Sequence, residues 1–70
     1  MKKLRKLYER TMSNCQFYER EGKQAHLLNE IGVLRGIAYC MEAFGEPPFQ
    51  DPEFLRLISL QENFKKNSST

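Results

Sequence analysis

The chain has 70 residues, of which 40% are apolar and 29% charged, with two cysteines and a net charge of +2. That length allows one domain with a small core, of a size that metals, disulfides or partner chains commonly reinforce. The composition excludes a largely disordered chain. Cys15 and Cys40 stand outside any CxxC or Cys/His cluster, which excludes a disulfide scaffold and a zinc site; two buried thiols in a reducing compartment are expected instead.

Charge is unevenly placed. The first ten residues hold Lys2, Lys3, Arg5, Lys6 and Arg10 against Glu9, whereas residues 11–64 hold four basic and eight acidic residues, and Lys65 and Lys66 follow. The basic start is like the opening of a signal peptide, but Glu9, Arg10, Ser13 and Asn14 interrupt before any apolar run develops. No stretch has the length and apolarity of a membrane span. A cytoplasmic protein without membrane contact is expected.

The first predicted helix covers residues 2–21. Leu4, Leu7, Tyr8, Thr11, Cys15 and Tyr18 recur at spacings of three and four, placing them on one face. Met12 and Phe17 fall off that face. Gly22 follows Arg20 where a helix C-terminal glycine belongs.

The second predicted helix covers residues 23–44 and stops at Gly45-Glu46-Pro47-Pro48. At about 100° per residue, one side carries the small residues Ala25, Asn29, Gly32, Gly36, Cys40 and Ala43, and the opposite side carries Leu27, Ile31, Leu34, Ala38 and Met41. Val33, Ile37 and Phe44 lie on one flank, Leu28 and Tyr39 on the other. A helix apolar all round is a buried helix, and two single helices are expected to be too few to cover it. A homo-oligomer is therefore expected, with Leu28, Gly32, Gly36 and Cys40 at its interface. Gly32 and Gly36 each cost about 1 kcal/mol relative to Ala inside a helix, a loss that close backbone approach would offset. The small stripe packing on the first helix within one chain is the alternative.

The third predicted helix opens at Asp51-Pro52-Glu53, with Asp51 as cap, Pro52 in the first turn and Glu53 complementing the dipole. Phe54, Leu57, Ile58 and Phe64 keep helical spacing, and Gln61 is the polar exception. Residues 67–70 read as a disordered tail after a single domain of residues 1–66. The fold class is all-α: an antiparallel helical hairpin plus a short C-terminal helix, assembling into a helical oligomer.

No residues form a catalytic set. His26 and Glu30 are neighbours four apart on a helix, but one histidine and one carboxylate make neither a hydrolytic nor a metal site, and a surface pair is expected. Gly32 and Gly36 lie within a helix rather than in a loop after a strand, so they form no phosphate cradle. A non-enzymatic protein with no cofactor and no metal follows. Lys3, Lys6 and Arg10 share a face that Tyr8 borders, which suits an anion with a base to stack. Arg35 and Glu30 are charges in an apolar helix and need a partner or the mouth of a cavity. Arg35 either pairs with Glu42 or a neighbour's carboxylate, or lines an anion pocket with Leu28 and Tyr39. In a helix-turn-helix reading, residues 33–44 would enter a DNA groove and present little but Arg35, which suits a groove reader poorly.

A basic, tyrosine-bearing helix (Lys3, Lys6, Tyr8, Arg10) followed by a highly apolar one (residues 27–44) resembles the small phage-encoded, all-helical counter-defence proteins of the cyclic-nucleotide-sponge type. The resemblance covers the helical body. It implies an oligomer in a host cell's cytoplasm that sequesters a cyclic nucleotide or related anionic signal in pockets between subunits. Lys3, Lys6, Tyr8, Arg10, Arg35 and Tyr39 would be its ligand-binding residues. An inhibitor or adaptor that docks on a host protein through Met12 and Phe17 is the competing expectation.

Overall fold

The computed structural model describes residues 2–68 and contains three helices: α1 (Lys2–Glu21), α2 (Gln24–Ala43) and α3 (Pro52–Ser68). Each boundary has a local cause. Gly22 (φ +71°) ends α1: its N–H donates to Glu19 O at 3.2 Å, and the Lys23 N–H donates to Tyr18 O at 2.9 Å. Gly45 (φ +85°) repeats the pattern after α2, with Gly45 N–H to Glu42 O and Glu46 N–H to Met41 O, both at 2.9 Å. Both are the paired closing bonds of a glycine-terminated helix. Asp51 caps α3, its Oδ1 accepting from the Glu53 N–H at 3.1 Å. Lys23 takes the corresponding place before α2 with no side-chain cap.

α3 has 17 residues against 20 in each of the others and continues through Asn67 and Ser68, two residues beyond the expected domain end; Ser69 and Thr70 of the expected tail lie outside the described residues. α1 and α2 form an antiparallel hairpin across the tight Gly22 turn. α3 begins beside the end of α2, where Tyr39 and Phe49 meet at 5.9 Å. By Gln61 it has reached Leu28 near the start of α2, so α3 runs antiparallel to α2.

Leu27, Ile31, Leu34, Ile37, Ala38 and Met41 of α2 are buried against Tyr8, Thr11 and Cys15 of α1 and Phe54 and Leu57 of α3. The expectation that two helices are too few to cover this side does not hold: Ile31, Leu34 and Ala38 are fully enclosed within one chain. Nor does the small stripe pack on α1, because Ala25, Asn29, Gly32, Gly36, Cys40 and Ala43 all face solvent. The helix is amphipathic in size rather than polarity. Its bulky side gains most from leaving water, and its small side exposes little area per residue.

Three further placements differ from expectation. Leu7 is 44% exposed, since Leu4, Tyr8, Thr11 and Cys15 already fill the seam and Leu7 lies at its edge. Met12 is partly buried against the core rather than misplaced, while Phe17 is exposed. Only Cys15 is buried; Cys40 is exposed on the small stripe, and both thiols are free.

Four rings close the end of the bundle at the α2–α3 connection. Tyr39–Phe49, Phe49–Phe54 and Phe54–Tyr8 have centroids 5.9, 5.9 and 6.3 Å apart, within the range of favourable tilted packing. No helix among the described residues is long and apolar enough to cross a membrane.

Candidate functional site

The expected ligand residues separate into two places. Lys3, Lys6 and Arg10 meet around a shallow hollow of about 210 Å³, joined by Leu7 rather than by an aromatic ring. Tyr8 faces the other way. It is only 7% exposed, and its hydroxyl donates to Asp51 Oδ2 at 2.7 Å. Burial, then the Asp51 carboxylate, hold its ionisation well above the ordinary tyrosine value. Tyr8 ties α1 to the cap of α3 and is not available to stack on a base, because its ring completes the core seam between Leu4 and Thr11.

Arg35 lies in a different feature, an open groove of about 770 Å³ between α2 and α3. Leu28, Arg35 and Gln61 line its inner part, and Glu62, Phe64, Lys65 and Lys66 the outer. The volume falls within the range of small-molecule sites. Gln61, the polar interruption of α3's apolar face, organises the inner part. Its Nε2 donates to Leu28 O at 3.4 Å, and its Oε1 accepts from Arg35 Nη1 at 3.1 Å. Arg35 Nη2 stands 3.6 Å from Glu62 Oε1. Within the chain the carboxylate partner of Arg35 is thus Glu62 on α3, not Glu42. Both side chains are substantially exposed, so the pair orients the guanidinium more than it stabilises the fold.

Tyr39 was expected beside Arg35 in one pocket. It is 54% exposed, and its ring packs edge-on against Phe49 outside the groove lining. Of the expected interface residues, Gly32, Gly36 and Cys40 are exposed, and Leu28 is half-buried in the groove floor. Neither glycine serves the chain itself. A Cβ at Gly36 would meet nothing within 4 Å, and one at Gly32 would make ordinary contact with the Gln61 amide at 3.9 Å.

His26 and Glu30 form no ion pair among the described residues; the His26 ring packs on Tyr18 at 5.3 Å. No group of three or more potential metal ligands occurs among the described residues. The helix-turn-helix reading fails because Ile31, Gly32 and Val33 lie inside one continuous helix.

The remaining polar cluster is a clasp. Arg56 donates to both Glu19 carboxylate oxygens at 2.8 and 2.7 Å and to Glu53 at 2.6 Å, fixing the crossing of α3 on α1. The Arg56 hydrogen bonds hold Glu19 below the ordinary carboxylate range, and they raise the guanidinium's own value. In the core, burial pushes the Cys15 thiol up to about 11, with the charges of Glu30 and Glu19 adding to the effect.

Sequence reasoning missed the outer half of the groove. The sequence marks Phe64 by helical spacing and Lys65 and Lys66 by charge alone, whereas all three extend the wall that Gln61 begins. Gln61 itself was the available signal. No family model, characterised protein or solved structure matches this chain.

Proposed function

We propose that the protein is a non-catalytic binding protein that sequesters an anionic ligand of the nucleotide class in the groove between α2 and α3. The observation that carries this reading is the groove's composition: Arg35, Lys65 and Lys66 surround an apolar lining from Leu28 and Phe64, in a space of about 770 Å³. Cations with donor-rich heads suit phosphate, and an aromatic wall suits a planar base. Gln61 holds the Arg35 guanidinium in place. Glu62, on an exposed side chain 3.6 Å away, is the group an incoming phosphate would displace. In this reading the ligand is held, not transformed.

The groove is open on one side, and self-association would wall it. Leu28 and Arg35 sit one step around α2 from Gly32, so a second copy seated on the Gly32/Gly36/Cys40 stripe would stand beside the groove mouth. Two glycines inside a helix cost roughly 2 kcal/mol together relative to alanine, and nothing within the chain uses their missing side chains. Close approach of another helix would. The anionic-signal sponge suggested by the resemblance is retained in this form, with Arg35 kept, Lys65 and Lys66 added, and Lys3, Lys6, Tyr8, Arg10 and Tyr39 outside the groove.

Thermal unfolding against a panel of cyclic dinucleotides, mononucleotides and inorganic phosphate tests the reading. A ligand at a hundred times its Kd stabilises by about 2.7 kcal/mol, an upshift of roughly 10–20 °C for a chain of this size. Arg35→Ala should abolish that shift while leaving the unliganded Tm nearly unchanged. A panel in which no nucleotide moves the Tm overturns the reading.

A further inference from the structure

The outer face of α1 is a second cationic surface, remote in kind from the groove. At about 100° per residue, Lys3, Lys6, Leu7, Arg10 and Asn14 fall within one arc, and all five are exposed. From Lys3 to Phe17 that arc contains no acid; Glu9 lies on its flank. Three cations elsewhere are paired within the chain: Arg5 with Glu46, Arg35 with Glu62, and Arg56 with Glu19 and Glu53. Lys3, Lys6 and Arg10 have no ion pair among the described residues. Lys3 stands in the first turn of α1, which holds no acidic residue, and there opposes the helix dipole. Lys3 and Lys6 are three apart and Lys6 and Arg10 four apart, so like charges repel along the row, a repulsion that an anion outside the chain relieves.

The geometry selects among anions. The hollow of about 210 Å³ that these residues share has one wall only, which gives a compact phosphorylated molecule little enclosure. An extended row suits it better. Lys3 and Lys6 are separated by about 4.5 Å along the helix axis, and Lys6 and Arg10 by about 6 Å, on side chains long enough to reach successive phosphates of one strand. Single-stranded nucleic acid is normally gripped by a run of aromatic platforms, whereas this face carries one exposed ring, Phe17, about 10 Å along the axis beyond Arg10 and packed edge-on against Tyr18; Tyr8 is buried and turned away. An anionic membrane would require a continuous apolar strip, whereas Ser13 and Asn14 separate Leu7 from Phe17. We infer that the Lys3/Lys6/Arg10 face of α1 binds the phosphate backbone of duplex nucleic acid, without reading its sequence.

Fluorescence anisotropy of the full chain with a labelled 20-base-pair duplex tests this. Three phosphate contacts give an affinity that falls about 40-fold between 50 and 200 mM salt. Two duplexes of unrelated sequence should bind alike. Lys3→Ala/Lys6→Ala/Arg10→Ala, with its helical circular dichroism retained, should lose binding, and Arg35→Ala should keep it. No binding at 50 mM salt overturns the inference, as does a triple variant that binds like the parent. Tighter binding to a single strand of the same length also overturns it. So does recruitment to phosphatidylglycerol vesicles in the absence of any duplex affinity.

Discussion

The two sides of α2 are both uncharged over most of their length, yet one is wholly inside the molecule and the other wholly outside. Leu27, Ile31, Leu34 and Met41 are enclosed by α1 and α3, while Gly32, Gly36, Cys40 and Ala43 face water. Side-chain volume, not polarity, separates them. A bulky side chain removed from water contributes about 1.5–3 kcal/mol, whereas glycine and alanine have little to contribute. With only two helices available as cover, the chain spends them on the bulky side. The small side is left on the surface as a long, smooth, uncharged strip.

This contrast is broken most severely by truncation inside. Leu34 is fully buried, and Leu34→Ala should cost about 2–5 kcal/mol. For a 70-residue domain that is a large part of the usual total. Denaturant titration should show the midpoint moved far toward lower denaturant. A loss below 1 kcal/mol would mean that α1 and α3 do not enclose α2 as described.

The two thiols sharpen the comparison, one on each side of the boundary. Cys40 is exposed and should be modified readily in the native protein, whereas Cys15 should react only after denaturation. Their response to pH should differ too. A thiol raised from the ordinary value of about 9 to about 11 in the fold contributes stability that is fully present below pH 9 and is lost as pH rises through 11. The two-unit difference corresponds to roughly 2–3 kcal/mol. Unfolding free energy should therefore fall between pH 9 and 11 in the parent chain and fall less in Cys15→Ala. Equal slopes would place Cys15 in contact with solvent. Tyr8 adds a further loss beginning above pH 10, because burial and Asp51 raise its value as well.

Most of the fold was legible in the sequence because its boundaries are local. Gly22, Gly45 and Asp51-Pro52 act through bonds to residues within five positions of themselves, so composition and spacing suffice to place them. The packing was less legible. Tyr8 belongs to both an apolar periodicity and a basic neighbourhood, and only the arrival of Asp51 from 43 positions away decides which way its hydroxyl turns. Arg35 likewise needed a partner, but Glu42 and Glu62 are equal candidates until the antiparallel course of α3 is known. The groove required all three facts together: α3 antiparallel to α2, Gln61 bonded to Leu28, and a third helix long enough to bring Phe64 and Lys65 alongside Arg35. None of these is a property of a single segment.

The smallest expected effect discriminates most finely. Gly36 has no positive φ, and a Cβ there would stand in open space. For an isolated chain Gly36→Ala should therefore raise stability by about 0.5–1 kcal/mol, through higher helix propensity and a less flexible unfolded state. If copies pair along this stripe, the added methyl group stands where the second backbone must approach, and the gain should shrink or reverse as association sets in. Melting curves at a few micromolar and at several hundred micromolar, each with mass by light scattering, separate the cases. A Tm increase in dilute solution that disappears at high concentration, with a lower mass than the parent, supports pairing on α2. The same increase at both concentrations, with both proteins at the mass of one chain, would leave the stripe as plain surface. The groove beside it would then have to hold its ligand within a single copy.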